Sequence, residues 1–220
     1  MMEQYVNKIF NEDCLEFAKQ LPDNCIDCIV TDPPYGIKAH SGFAGFEGFR
    51  GKGEKIERRS YIGNWDNKTP DKECFDEILR ISKNAIIFGG NYFTDKLPVS
   101  NHWLVWDKLQ TMPTFSDCEL IYTNIKRNSV KKYTVEWNGL LGKESKRFHP
   151  TQKPEVLIKK ILLDYTKQND IIFDGFMGSG TTAIACLETK RRYIGCELDK
   201  GYFDIAQKRI DDYNKQLKLF

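Results

Sequence analysis

The run DIIFDGFMGSGTT, residues 170–182, reads as a strand, a glycine turn and the start of a helix. Ile171, Ile172 and Phe173 are apolar, Asp174 ends the run, and Gly175, Gly178 and Gly180 precede a helix-forming TTAIACLE. Glycines in such a turn let backbone amides approach a ligand at the carboxyl edge of a sheet, where open α/β sheets bind. A phosphate-binding P-loop needs lysine after its last glycine, and Thr181 stands there instead, so a nucleoside triphosphate is not expected. The dinucleotide fingerprint G-x-G-x-x-G is also absent, because the spacing here is G-x-x-G-x-G. The next strand-like run, RRYIGCE at 191–197, ends in Glu197, where an acid in a βαβ unit reaches ribose hydroxyls.

Outward from this unit, short apolar runs alternate with helical periodicity along the chain. Strands are expected at 5–10, 26–31, 84–90, 102–107, 118–124, 170–174 and 191–197. Helices are expected at about 14–20, 71–82, 154–167, 180–189 and 199–216. The continuous apolar character of 26–31 and 171–173 places those strands at the centre of a parallel sheet, and the closely spaced strands at 102–124 point to an antiparallel pair at an edge. At 220 residues a single domain covering 1–220 is expected, with two long connections at 36–69 and 124–153.

Those two connections carry the basic charge. Residues 50–59 hold five Lys/Arg against two Glu, and residues 124–150 hold seven against two, in a chain whose formal net charge is only +2. Arg50, Lys52, Arg58 and Arg59 in the first, and Lys126, Arg127, Lys131 and Lys132 in the second, are therefore candidates to meet a polyanion, aromatic residues lying beside both groups. A solvated face is the alternative reading of such runs. No run of apolar residues is long enough to suggest a membrane span, no export or transit signal is visible at the N-terminus, and a cytoplasmic location is expected. The seven cysteines are an odd number, scattered, and fit a reducing compartment. Cys25 and Cys28 form a C-x-x-C without a second pair at zinc spacing, so they are read as small hydrophobes and no metal is expected.

One stretch has no folding rationale. IVTDPPYG, residues 29–36, carries a strand into Asp32, Pro33, Pro34 and Tyr35. The prolines stiffen the chain and lack a donor, which leaves the Asp32 carboxylate and the Pro33 carbonyl as fixed acceptors beside a flat ring. Two acceptors and a ring suit the exocyclic amine of a nucleobase, with Tyr35 stacking on it.

With DPPY at 32–35, HPTQKP at 149–154, FDGFMGSGTT at 173–182 and GCELDKGYFDIAQKRI at 195–210, the chain resembles DNA amino-methyltransferases of the order in which D-P-P-Y precedes the cofactor loop. The resemblance implies a Rossmann-like, doubly wound, mostly parallel α/β sheet of the S-adenosylmethionine-dependent methyltransferase type, with permuted motif order. It implies S-adenosyl-L-methionine as cofactor and methyl transfer to the N6 amine of a flipped adenine in DNA, with N4 of cytosine as the alternative. RNA or protein-glutamine methylation, a non-catalytic nucleic-acid binder and a dehydrogenase are the more distant readings. Position by position, Asp32, Pro33, Pro34 and Tyr35 match the catalytic motif. Asp174, Gly175, Phe176, Gly178, Gly180 and Thr181 match the cofactor loop, and Glu197 matches the ribose acid. Asp13 and Cys14 match the segment that meets the adenine of the cofactor, and Thr151 and Lys153 the segment near its methionine end. Gly175 departs from the usual proline, which implies a looser loop. DNA is the expected partner, with a homodimer as a further expectation.

Overall fold

A computed structural model describes residues 2–37, 66–110, 116–136 and 152–217. Its frame is one eight-stranded sheet in the order β1-β8-β7-β2-β3-β5-β4-β6. The strands are β1 (Lys8–Phe10), β2 (Cys28–Thr31), β3 (Ala85–Phe88), β4 (Trp103–Asp107), β5 (Cys118–Thr123), β6 (Lys131–Thr134), β7 (Ile171–Asp174) and β8 (Arg192–Cys196). Among the described strands only β5 runs against its neighbours, pairing antiparallel with both β3 and β4.

All four residues of β2, β3 and β7 are buried, as strands covered on both faces must be. Among the described residues five helices supply the cover: α1 (Cys14–Lys19), α2 (Lys72–Arg80), α3 (Glu155–Tyr165), α4 (Thr181–Glu188) and α5 (Lys200–Leu217). The alternation of side chains along a strand divides them. Cys28 and Val30 of β2 pack with Leu157, Ile161, Ala183 and Ala206 from α3, α4 and α5. Ile29 faces the other way, with Phe17 and Ala18 of α1 and Phe75 and Ile78 of α2. Each helix begins where its sequence says it should. Asp13, for example, caps α1 by accepting from the backbone N–H of Leu15 at 2.9 Å and of Glu16 at 3.3 Å.

The expected elements fall within a few residues of the observed ones. The exception is β6, which interrupts the expected connection at 124–153. Its residues KKYT bury only Tyr133, so four residues with one apolar side chain leave no run to recognise. The antiparallel pair expected at 102–124 is present as β4 and β5, but β6, parallel to β4, forms the edge. Cys28 is buried in β2, Cys25 is half-buried, and all seven cysteines are free. No described helix is long and apolar enough to cross a membrane.

Candidate active site

From β2 the chain crosses through α2 to β3 on one side, and from β7 it crosses through α4 to β8 on the other. The two crossovers diverge between β2 and β7, which are paired in parallel. A crevice opens outside the carboxyl ends of strands at such a switch point. Both candidate motifs lie there: Asp32 follows β2, and Asp174 ends β7. The Thr31 hydroxyl donates to Asp174 Oδ1 at 2.6 Å and ties the two strand ends together.

On the β7 side the glycine loop is pinned rather than loose. Backbone N–H groups of Phe176, Met177, Gly178 and Gly180 donate to Asp174 Oδ1, the Cys196 carbonyl, Glu197 Oε2 and the Met177 carbonyl. Gly178 at φ +55° and Gly180 at φ +85° take the left-handed backbone that lets the loop fold back before α4. Gly175 has a packing reason instead: a Cβ there would lie 3.0 Å from the Cβ of Cys14. Thr181, the first residue of α4, and Cys14, the first of α1, are both buried. Burial pushes Asp174 up to about 6 against its hydrogen bonds to Thr182, Thr31 and Phe176. Burial also pushes Glu197 up to about 7 while its two oxygens accept from Gly178 and Asp199.

On the β2 side stands a partly buried group of charges that the sequence did not reveal. Lys153 Nζ donates to Asp32 Oδ2 at 2.6 Å and lies 3.2 Å from Glu119 Oε1. The Tyr35 hydroxyl is 2.6 Å from both Asp32 Oδ1 and Glu119 Oε1, and Lys108 pairs with Glu119 Oε2 at 3.1 Å. The Tyr35 ring stacks on Tyr92 with centroids 4.7 Å apart and meets Phe93 edge-on. Room for it comes from Gly89, at φ +66°, where a Cβ would stand 2.2 Å from Tyr35 Cε1. Burial raises Asp32 above the ordinary carboxylate range despite Lys153, whereas Lys153 and Lys108 outweigh burial and hold Glu119 below it.

Thus Asp32, Pro33, Pro34 and Tyr35 come together with Asp174, Gly175, Phe176, Gly178, Gly180 and Glu197 at one edge, with Asp13 and Cys14 beside the loop. Lys153 belongs to this edge too, but its ammonium sits on Asp32. Glu119, Lys108 and Tyr92 were missed. The one available signal for Glu119 was an acid inside the strand run CELIYT.

The basic residues divide. Because β5 is reversed, Thr123 pairs with Ile86 near the start of β3, so the turn carrying Lys126 and Arg127 lies at the edge opposite Asp32. Lys131 is held by Asp164 at 2.6 Å and Lys132 by Asp107 at 3.1 Å. The turn with Lys126 and Arg127 is thus separated from the Asp32 loop by the height of the sheet, whereas the Lys132 ammonium, on Asp107 at the end of β4, is at the same edge as Lys108. Thr151, Arg50, Lys52, Arg58 and Arg59 lie outside the described residues.

Comparison with known proteins places this chain in a family. Over 95% of this chain and 69% of the relative, the sequence is 28% identical to the Type II methyltransferase M.HinfI of Haemophilus influenzae. It is 26% identical to the Type II methyltransferase M2.DpnII of Streptococcus pneumoniae, over 98% and 95% of the two chains. The fold is similar to that of M1.HpyAVI, solved as its complex with SAM, at a TM-score of 0.62 and 24% identity over 93% and 98% of the two chains. It is also similar to the cytosine-N4-specific PvuII DNA methyltransferase, at a TM-score of 0.59 and 15% identity over 96% and 92%. The DNA methylase family model of N6 and N4 methyltransferases matches residues 75–208, more than half of the sequence, and the chain belongs to that family.

Proposed function

We propose that this DNA methylase transfers a methyl group from S-adenosyl-L-methionine to the N6 amine of adenine. The observation that carries the reading is the junction of the Asp-Pro-Pro-Tyr loop and the glycine loop at adjacent strand ends, joined by the Thr31–Asp174 hydrogen bond.

The residues present fit the cofactor. Glu197 offers a carboxylate at the crevice for two ribose hydroxyls, and Gly178 already brings a backbone N–H to it. Gly175, without a Cβ, keeps the loop against Cys14 beside the Asp13 cap, where an adenine ring would be received. When bound, the cofactor supplies an electrophilic methyl on a sulfonium. Asp32, whose side chain is 24% exposed, orients the target amine from one side and the Pro33 carbonyl from the other. Alignment and exclusion of water are the main contributions of the protein. After transfer Asp32 takes the amine proton, a role suited to a carboxylate whose burial has made it more basic.

A paired base reaches Asp32 only by leaving its duplex, so DNA approaches the carboxyl edge. Ile37 and Asp66, which flank residues 38–65, are at that edge, since Asp66 accepts from the Gly36 N–H at 2.7 Å. On that footing Arg50, Lys52, Arg58 and Arg59 are the basic residues proposed to contact phosphates. Adenine is preferred to cytosine because an acid in the D-P-P-Y position is more frequent among adenine enzymes of this family resemblance. Methylated DNA digested to nucleosides should contain N6-methyladenine; N4-methylcytosine in its place refutes the base assignment and leaves amino-methylation standing.

A further inference from the structure

The charge cluster on the β2 side contains more than the target amine needs. Each oxygen of Asp32 already has a donor on it, Oδ2 the Lys153 ammonium and Oδ1 the Tyr35 hydroxyl. A base amine needs one of them. The ammonium of Lys153 is a nitrogen donor 2.6 Å from a carboxylate oxygen, which is the contact that an amine nitrogen would make there. Something must therefore receive Lys153 when the base arrives, because an ammonium 9% exposed cannot lose its anion without a large desolvation cost.

Glu119 is placed to do so. Its Oε1 is 3.2 Å from Lys153 Nζ and 2.6 Å from the Tyr35 hydroxyl, so a shift of well under an ångström moves the ammonium from one carboxylate to the other. Tyr35 has a single hydroxyl hydrogen for two carboxylate oxygens at equal distance, so it can turn from Asp32 to Glu119 in the same step. Lys108 holds the far oxygen of Glu119 and fixes the carboxylate in place. No step of the proposed chemistry accounts for a second acid and a second lysine half-buried behind the catalytic aspartate. From this geometry we infer that Glu119 is a positioning residue for methyl transfer: it takes over Lys153 and the Tyr35 hydroxyl so that Asp32 is released to the target amine. The inference deepens the proposed function and rests on it.

Its electrostatic consequence has a definite sign. The charged groups facing Asp32 are Lys153 before α3, Tyr35 on its own loop, Glu119 on β5 with Lys108 behind it, and Asp174 at the end of β7, which is bonded to Thr31 and Phe176. The Glu119 anion opposes the pull of Lys153 on the Asp32 proton and keeps Asp32 basic. Without that anion Lys153 stays on Asp32 and draws its titration down.

The decisive variant is Glu119→Gln, which keeps the shape and removes the charge. Two measurements read it. In the protein alone, carbon NMR of labelled aspartate carboxyls, with Asp32→Asn for assignment, should show the Asp32 titration moved to lower pH by Glu119→Gln and to higher pH by Lys153→Met. In turnover, kcat should fall about 10-fold or more, and the acid limb of its pH profile should move to lower pH. Cofactor affinity stays within about twofold, since Glu119 lies on the target side. Because the defect acts through Lys153, Glu119→Gln should cost much less in a Lys153→Met background. Glu119→Asp, a foldable second variant, keeps the charge but draws it back, and should fall between wild type and Glu119→Gln. An Asp32 titration unmoved by Glu119→Gln overturns the inference, as does an equal loss in both backgrounds. A wild-type protein that methylates no DNA would refute the proposed function, while the titration would still decide the handover.

Discussion

Replacing Gly89 with alanine would test how tightly the catalytic loop is held. At φ +66° an alanine adopts a left-handed backbone at a cost of about 1–2 kcal/mol. The larger effect is steric. The new Cβ would lie 2.2 Å from Tyr35 Cε1 and 2.4 Å from Cζ, whereas ordinary contact begins near 3.4 Å, so the ring must retreat by about 1.2 Å. The ring cannot yield freely, because Tyr92 stacks on it and its hydroxyl is fixed between Asp32 and Glu119. Overpacking of this kind costs about 1–3 kcal/mol, for a total loss of roughly 2–5 kcal/mol measured by urea unfolding. Displacing a substrate-positioning group by about 1 Å should lower kcat by about 10²-fold, with cofactor affinity from calorimetry little changed. In a Tyr35→Ala background only the backbone cost should remain. A Gly89→Ala protein with wild-type kcat, or one whose stability loss is the same with and without the Tyr35 ring, would refute the reasoning.

Glu197→Ala should weaken S-adenosylmethionine binding by about 1.5–3 kcal/mol, and wild-type affinity should decline as pH falls below about 7, where the carboxylate protonates; calorimetry at pH 6 and 8 reads both. Asp174 has a folded pKa of about 6 against an ordinary 3.8, so the folded state binds the extra proton and stability is lost as pH rises from about 4 through 6. Asp174→Asn should remove roughly 3 kcal/mol of that pH dependence, seen as the difference between the two unfolding free energies at pH 4 and pH 8. Replacing Lys126 and Arg127 by alanine should leave the salt dependence of DNA binding unchanged, since both lie at the edge away from Asp32; a slope reduced by about one per residue would show that DNA reaches there.

What the sequence made legible was whatever carries a local period or a fixed spacing. The apolar runs of β2 and β7, the glycine loop and the helix patterns each speak for themselves over a few neighbours. The cluster behind Asp32 does not, because Lys108, Glu119 and Lys153 come from three separate segments and meet Asp32 only when β5 is inserted backwards between β3 and β4. The same reversal explains where the basic turn after β5 lies. A run of lysines and arginines has no direction until the strands beside it have one, and here the turn after β5 emerges at the opposite edge of the sheet. Strand β6 was hidden for a simpler reason: a short edge strand with one buried side chain has almost no hydrophobic signal.

The pairing of β2 with β7 has a consequence for synthesis. The hydrogen bond between Thr31 and Asp174 spans 143 residues, and β1 waits for β8 across a still longer interval. On a ribosome the Asp-Pro-Pro-Tyr loop is made well before its cofactor partner, which follows some 143 residues later. Until then β2 can pair only with β3, and its other edge, made of residues all apolar or nearly so, has no charge to discourage pairing with another chain. Messages truncated before residue 171 should therefore yield insoluble fragments rather than weak enzymes. Methyl transfer cannot begin on the nascent chain, which delays modification of DNA until synthesis of the whole sheet is complete.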